Sequence, residues 1–148
     1  MASDPALEVI AIAADHAGFS LKAALIEDLR GRGFEILDLG TDSKDSVDYP
    51  LYGEAMARAL REGRARRGVL ICGTGVGMGI AANRHKGVRA ATCHDPEVAR
   101  LARAHNDANV LVLGGRVIDP ETAGKCLQAF LDTEFEGGRH QRRVAMLG

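Results

Sequence analysis

Short apolar runs alternate with amphipathic stretches along the whole chain, and this alternation predicts a repeating strand–helix order. Residues 8–14 read as a buried first strand, because a continuous apolar run of this length suits a strand covered on both faces. Residues 18–30 carry Leu21, Leu25 and Leu29 at helical spacing, with Gly31 and Gly33 as the stop. Residues 34–39 give a second strand and 40–48 a polar loop. Pro50 then opens a helix to about Gly63, with Ala55, Ala59 and Leu60 expected inward. Residues 68–72 form a third strand, and a glycine-rich turn leads from it into another helix. Residues 88–93 form a fourth strand. His94 or Asp95 starts the helix that carries Val98, Leu101 and Ala102. Residues 109–113 form a fifth strand, stopped by Gly114-Gly115. Asp119-Pro120-Glu121 supplies an N-cap, an N1 proline and an acid for a helix reaching Phe130 or Asp132. Gly137-Gly138 sets off a basic tail, 137–148, that can form a short helix.

Five strands with their crossover helices predict a single domain over 1–148 of the α/β class. The expected architecture is a three-layer, Rossmann-like, doubly wound parallel five-stranded sheet. Residues 1–7 are open to disorder. In such a fold ligands bind at the carboxyl ends of the strands, near the switch in strand order. The polar residues directly after strands are therefore the candidates: Asp15-His16, Cys72-Gly73-Thr74, His94-Asp95 and Arg116.

Composition narrows the classes. With 148 residues, 46% hydrophobic and 26% charged, the chain is long enough for one substantial core. A net charge of -1 gives no electrostatic case for nucleic acid or an anionic membrane as a partner. No apolar run approaches the roughly 18–20 residues of a membrane span, and the start lacks signal-peptide features. Three cysteines without a C-x-x-C suggest neither a disulfide frame nor a zinc site, so a reducing cytoplasm is the expected location.

The chemistry concentrates in Cys72-Gly73-Thr74-Gly75-Val76-Gly77-Met78-Gly79. One reading is a dinucleotide fingerprint, Gly77-x-Gly79-x-x-Ala82 with Asp95 as a ribose ligand, but it follows the third strand instead of the first. The other is an anion nest of backbone N–H groups from about Gly73 to Gly79, with Cys72 at its mouth as a base. Cys72 can equally be a small core residue, as Cys93 and Cys126 are expected to be. Asp15 and His16 can handle protons or orient a hydroxyl, or can be a helix cap and a surface residue. His105 ends a helix, where it can act on a ligand or serve as a cap. Arg139 and Arg143 share a face of a helical tail and form either a phosphate clamp or a solvated surface. Arg116 carries the same two readings.

Several segments taken together resemble the ribose-5-phosphate isomerase B family, which includes galactose-6-phosphate isomerase subunits and allose-6-phosphate isomerase. They are Ala14-Asp15-His16-Ala17-Gly18 with Lys22, Asp48-Tyr49-Pro50, Cys72-Gly73-Thr74-Gly75-Val76-Gly77, Ala81-Ala82-Asn83, His105-Asn106-Asp107-Ala108-Asn109-Val110 and residues 137–143. The resemblance spans about residues 8 to 146. It implies an aldose–ketose isomerase needing neither metal nor other cofactor, acting as a homodimer or homotetramer with each active site shared between subunits. It implies Cys72 as the base moving a proton between C1 and C2, with Thr74 beside it. Some relatives use a glutamate in the glycine loop, where this chain has Met78. The N–H groups of Gly73, Gly75 and Gly77 would hold the enediolate oxygen. His105, helped by Asp15, would open the sugar ring, and Asn106 would hold a sugar oxygen. His16, Arg116, Arg139 and Arg143 would bind phosphate, and Tyr49 would line the pocket. The alternatives are an isomerase of a 6-phosphohexose and a nucleotide-binding module without chemistry. The role of His140 is left open.

Overall fold

The computed structural model describes residues 7–148, which fold around one parallel sheet. The strands are β1 (Val9–Ala14), β2 (Glu35–Asp38), β3 (Arg67–Cys72), β4 (Ala90–Thr92) and β5 (Val110–Gly114). Their order is β2-β1-β3-β5-β4, with every pairing parallel. The helices are α1 (Phe19–Gly31), α2 (Tyr49–Arg61), α3 (Val76–Asn83), α4 (Pro96–Asn106), α5 (Pro120–Asp132) and α6 (Arg139–Ala145). The order of residues 1–6 lies outside the described residues, and Leu7 is exposed. None of the described helices is long and apolar enough to cross a membrane.

The strands read as unbroken apolar runs because both faces are covered. On one face Ile10, Ile12, Ile71 and Leu113 meet Leu21, Leu25 and Leu29 of α1 and Cys126, Leu127 and Phe130 of α5. On the other, Ala11, Ala13, Leu70 and Val112 meet Met56 and Ala57 of α2 and Met78 and Ala82 of α3. Successive strand residues point to opposite faces, so each strand feeds both layers. The three-layer expectation holds. The chain reverses its direction of growth between β1 and β3, which makes their carboxyl ends the switch point.

Three local expectations change. The inward faces of two helices are shifted from those expected. α2 turns Gly53, Met56, Ala57 and Ala59 inward, leaving Ala55 and Leu60 half-buried. α4 buries Ala99, Ala102 and Ala104, leaving Val98 exposed. The α2–α3 contact explains Gly53: a Cβ there would lie 2.9 Å from the Cβ of Ala81. The fourth strand also shrinks, because side-chain amides replace its ladder. The Asn83 amide donates to the carbonyl of Ala90 and accepts from its N–H, both at 2.8 Å. Asn109 accepts from the N–H of Arg89 at 2.8 Å. Finally, Gly114 belongs to β5 instead of ending it.

The carboxyl ends of β1 and β3 pack closely at Gly18, where a Cβ would lie 2.6 Å from Ile71 Cγ2 and 2.8 Å from the Ile71 carbonyl oxygen. Gly18→Ala is expected to cost on the order of 1–3 kcal/mol by overpacking. Thermal denaturation reads this as a lower Tm, and an unchanged Tm would contradict the contact.

Candidate active site

Strand β3 delivers Cys72 to the switch point, and the chain then turns sharply into α3. The turn depends on Gly75, whose φ of 85° lies in the left-handed region that glycine enters without strain. Its N–H donates to Cys72 Sγ at 3.2 Å and holds the sulfur at the mouth of the turn. Cys72 is 5% exposed, and its side chain closes the edge of the α2/α3 apolar layer. The residues after it open outward: Gly73 is half-buried and Thr74 exposed. Thr74 Oγ1 accepts from the N–H of Val76 at 3.2 Å, which leaves its hydroxyl proton free to donate. Gly77 and Met78 lie in the first turn of α3, where N–H groups have no intrahelical partner. The N–H of Gly79 bonds the Gly75 carbonyl at 2.9 Å and that of Gly75 is taken by the Cys72 sulfur, so the nest is narrower than the expected Gly73–Gly79 and Gly75 drops out of it.

Four more side chains surround this turn. Arg116 follows β5; its N–H donates to the Gly73 carbonyl at 2.9 Å. Its guanidinium lies over Gly73, with Nη1 3.4 Å from where a Cβ would sit. Asp15 is buried at the end of β1, and its Oδ1 accepts from the N–H groups of Ala17 and Gly18 at 3.0 and 3.2 Å. It therefore caps the single 3₁₀ turn His16–Gly18. His16 Nδ1 accepts from the N–H of Val47 at 3.2 Å. Tyr49 lies against Gly77, where a Cβ would come within 2.6 Å of the Tyr49 Cζ.

The remaining candidates assemble elsewhere. His105 and Asn106 end α4, a helix that runs back from the carboxyl edge of the sheet to its amino edge. Helix α6 packs on α4, and the N–H of Glu136 donates to the Ala104 carbonyl at 3.0 Å. His105, Asn106, His140 and Arg143 share a cleft of about 320 Å³. The His105 and His140 rings stack at 4.3 Å, and Glu136 lies 3.8 Å from His105 Nε2. Desolvation, with His105 and Arg139 beside it, pushes the His140 imidazole below its ordinary range. Arg139 and Arg143 are both exposed and four residues apart on α6.

The two groups sit at opposite edges of one sheet. Strand β5 starts beside Asn109 and ends opposite Cys72, a distance of about 17 Å at about 3.3 Å per residue. Cys72 and His105 therefore do not meet within one chain, and neither do Asp15 and His105. A helix-terminal residue before a parallel strand belongs to the amino edge, so the sequence already carried this signal.

Other groups fall away. Cys93 and Cys126 are fully buried, and burial pushes their thiols up to about 12 and about 11 respectively, so they stay protonated. Asp95 Oδ1 accepts from the N–H groups of Glu97 and Val98 as the cap of α4, a role that accounts for this residue without a ribose. Among the described residues His105, Glu136 and His140 form the one cluster of three metal-ligand types, with donor atoms within 4.8 Å of one another. Sequence reasoning gave no role to Lys22, a charge inside the apolar stripe Leu21, Leu25, Leu29.

A thiol and a glycine turn at the switch point of a doubly wound sheet, with arginine beside them, define a small-molecule α/β enzyme. The chain belongs to the ribose/galactose isomerase family, whose pattern matches residues 10–147. It is 47% identical over 138 residues to ribose-5-phosphate isomerase B of Escherichia coli, covering 93% of each protein. It superposes on the ribose 5-phosphate isomerase of Thermotoga maritima with a TM-score of 0.93 and 51% identity, covering 95% of this chain and 97% of the other. The Mycoplasma genitalium ribose-5-phosphate isomerase B, solved with ribulose-5-phosphate bound, gives a TM-score of 0.90 at 41% identity, covering 94% and 93%.

Proposed function

We propose that this chain interconverts ribose 5-phosphate and ribulose 5-phosphate as a homodimer, each active site joining the Cys72 half of one subunit to the His105 half of the other. The observation that carries the reading is the position of Cys72 at the switch point, its sulfur held by the Gly75 N–H and Arg116 beside it. Exposed Val76 and Ile80 on α3, beside that half, and Met146 and Leu147 after α6, beside the other, are apolar surface suited to burial against a second copy. The three unpaired thiols fit a reducing cytoplasm.

In this mechanism His105 of the partner subunit takes the proton from the O1 hydroxyl of the furanose. The C1–O4 bond breaks, O4 gains a proton and C1 becomes an aldehyde. The Cys72 thiolate removes the C2 proton, the electron pair moves into a C1–C2 double bond, and O1 becomes an oxyanion. The unpartnered N–H groups of the glycine turn receive that charge, the term that usually contributes most to the barrier reduction. A proton moves from O2 to O1 with the Thr74 hydroxyl beside it. The Cys72 thiol then returns its proton to C1, leaving a ketone at C2. His16 and Arg116, with Arg139 and Arg143 of the partner subunit, hold the phosphate, and this remote binding positions C1 and C2 against sulfur. Asn106 of the partner holds a sugar oxygen and Tyr49 lines the pocket. Asp15 sets the turn that carries His16. No step calls for a cofactor or a metal.

A coupled assay with ribose 5-phosphate, allose 6-phosphate and galactose 6-phosphate tests the substrate. The expected result is the highest kcat/KM for the pentose. A higher value for either hexose would transfer the same reaction to a 6-phosphohexose.

A further inference from the structure

We propose that Lys22 is a positioning residue: through the β2–α2 loop it holds the Val47 N–H against His16 and so fixes which imidazole nitrogen faces the substrate. The inference rests on the reading of His16 as a phosphate ligand. Lys22 lies on the inward face of α1 with its side chain 3% exposed, where an apolar residue would continue the stripe. Its Nζ donates to Asp38 Oδ1 and Oδ2 at 2.7 and 3.0 Å and to the Thr41 carbonyl at 2.6 Å. All of these acceptors belong to the end of β2 or the first residues after it, so the ammonium ties α1 to the start of the loop. Asp38 Oδ1 also accepts from the N–H of Gly40 at 2.9 Å. Backbone bonds continue the anchor: the N–H of Ala14 donates to the Gly40 carbonyl at 2.8 Å, and that of Thr41 to the Ala14 carbonyl at 2.7 Å. The loop thus leaves the sheet from the point where β1 hands over to Asp15 and His16.

Six residues later the same loop returns to the site. The Val47 N–H meets His16 Nδ1 at 3.2 Å, and two residues on Tyr49 packs against Gly77. An imidazole nitrogen that accepts an N–H carries no proton, so hydrogen-bond geometry assigns the neutral ring as the Nε2–H tautomer. That tautomer presents a donor on the opposite side of the ring, as a phosphate oxygen requires. The Nδ1–H tautomer would present a lone pair there instead. A buried charge on α1 thereby acts on a ring it does not touch.

Two variants of the full-length protein test this from opposite ends. Val47→Pro removes the donor and leaves Lys22 in place, while Lys22→Met removes the anchor and leaves the Val47 N–H. Nitrogen-15 spectra of histidine-labelled protein read the tautomer, and ribose 5-phosphate kinetics read the consequence. In both variants His16 is expected to lose its pure Nε2–H pattern, with KM rising about 10-fold for a lost charge-assisted donor. The kcat is expected to change by less than about twofold, since the contact is made in ground and transition states alike. Structural loosening alone would lower Tm without moving the tautomer. Retention of the Nε2–H form in both variants overturns the proposal. A tautomer shift in these two variants with KM unchanged, together with an unchanged KM in His16→Asn, supports the anchor and removes His16 from the phosphate site.

Discussion

Replacing Cys72 by alanine is expected to lower kcat/KM for ribose 5-phosphate by about 10⁴-fold, the upper range for loss of a positioned general base. The Cys72 sulfur sits at the mouth of the glycine turn, where the proposed mechanism needs its base, and Met78 offers no carboxylate in its place. The loss should fall on kcat with KM little changed, because the phosphate ligands are untouched. Exchange of the substrate C2 proton with deuterated solvent should disappear with turnover, since in the proposed mechanism the same sulfur removes that proton. Alanine leaves only a small void in the apolar layer, so circular dichroism should be native. Serine restores volume without a comparable base and should recover little. Full turnover by either variant would remove Cys72 from the chemistry.

The strand, turn and helix around Cys72 were legible in the sequence because their signals are local. An apolar run ending in Cys72, glycines at alternate positions and a helix-forming segment specify strand, turn and helix without tertiary information. The Asp119-Pro120 start of α5 was legible for the same reason, and its Asp119 side chain accepts from the N–H of Thr122 at 2.7 Å. The inward faces of α2 and α4 were harder to read, because close helix packing brings Gly53, Ala99 and Ala104 inward while Leu60 stays half-buried and Val98 exposed. The length of β4 was hidden because Asn83 and Asn109 replace ladder bonds with side-chain amides from distant positions. Pairings such as Lys22 with Asp38 and Val47 with His16 join residues 16 and 31 positions apart. No short-range pattern carries them, although a lysine within a leucine stripe marks where to look.

The division of the site between two edges of the sheet has the larger consequence. In the proposed homodimer with two-fold symmetry, each site would take Cys72 from one subunit and His105 from the other. A Cys72→Ala subunit still offers an intact His105, and a His105→Asn subunit still offers an intact Cys72. Each variant alone has no complete site. A mixed dimer has one site with both defects and one with neither.

The most direct measurement is therefore complementation. Cys72→Ala and His105→Asn proteins are purified separately, mixed, dissociated and reassociated, and assayed with ribose 5-phosphate. The account predicts that each parent is nearly inactive. It predicts that the mixture recovers about a quarter of native activity, because random pairing makes half the dimers mixed and each of those has one working site. If native mass spectrometry shows the mixed dimers and activity stays at the level of the parents, the shared site is contradicted.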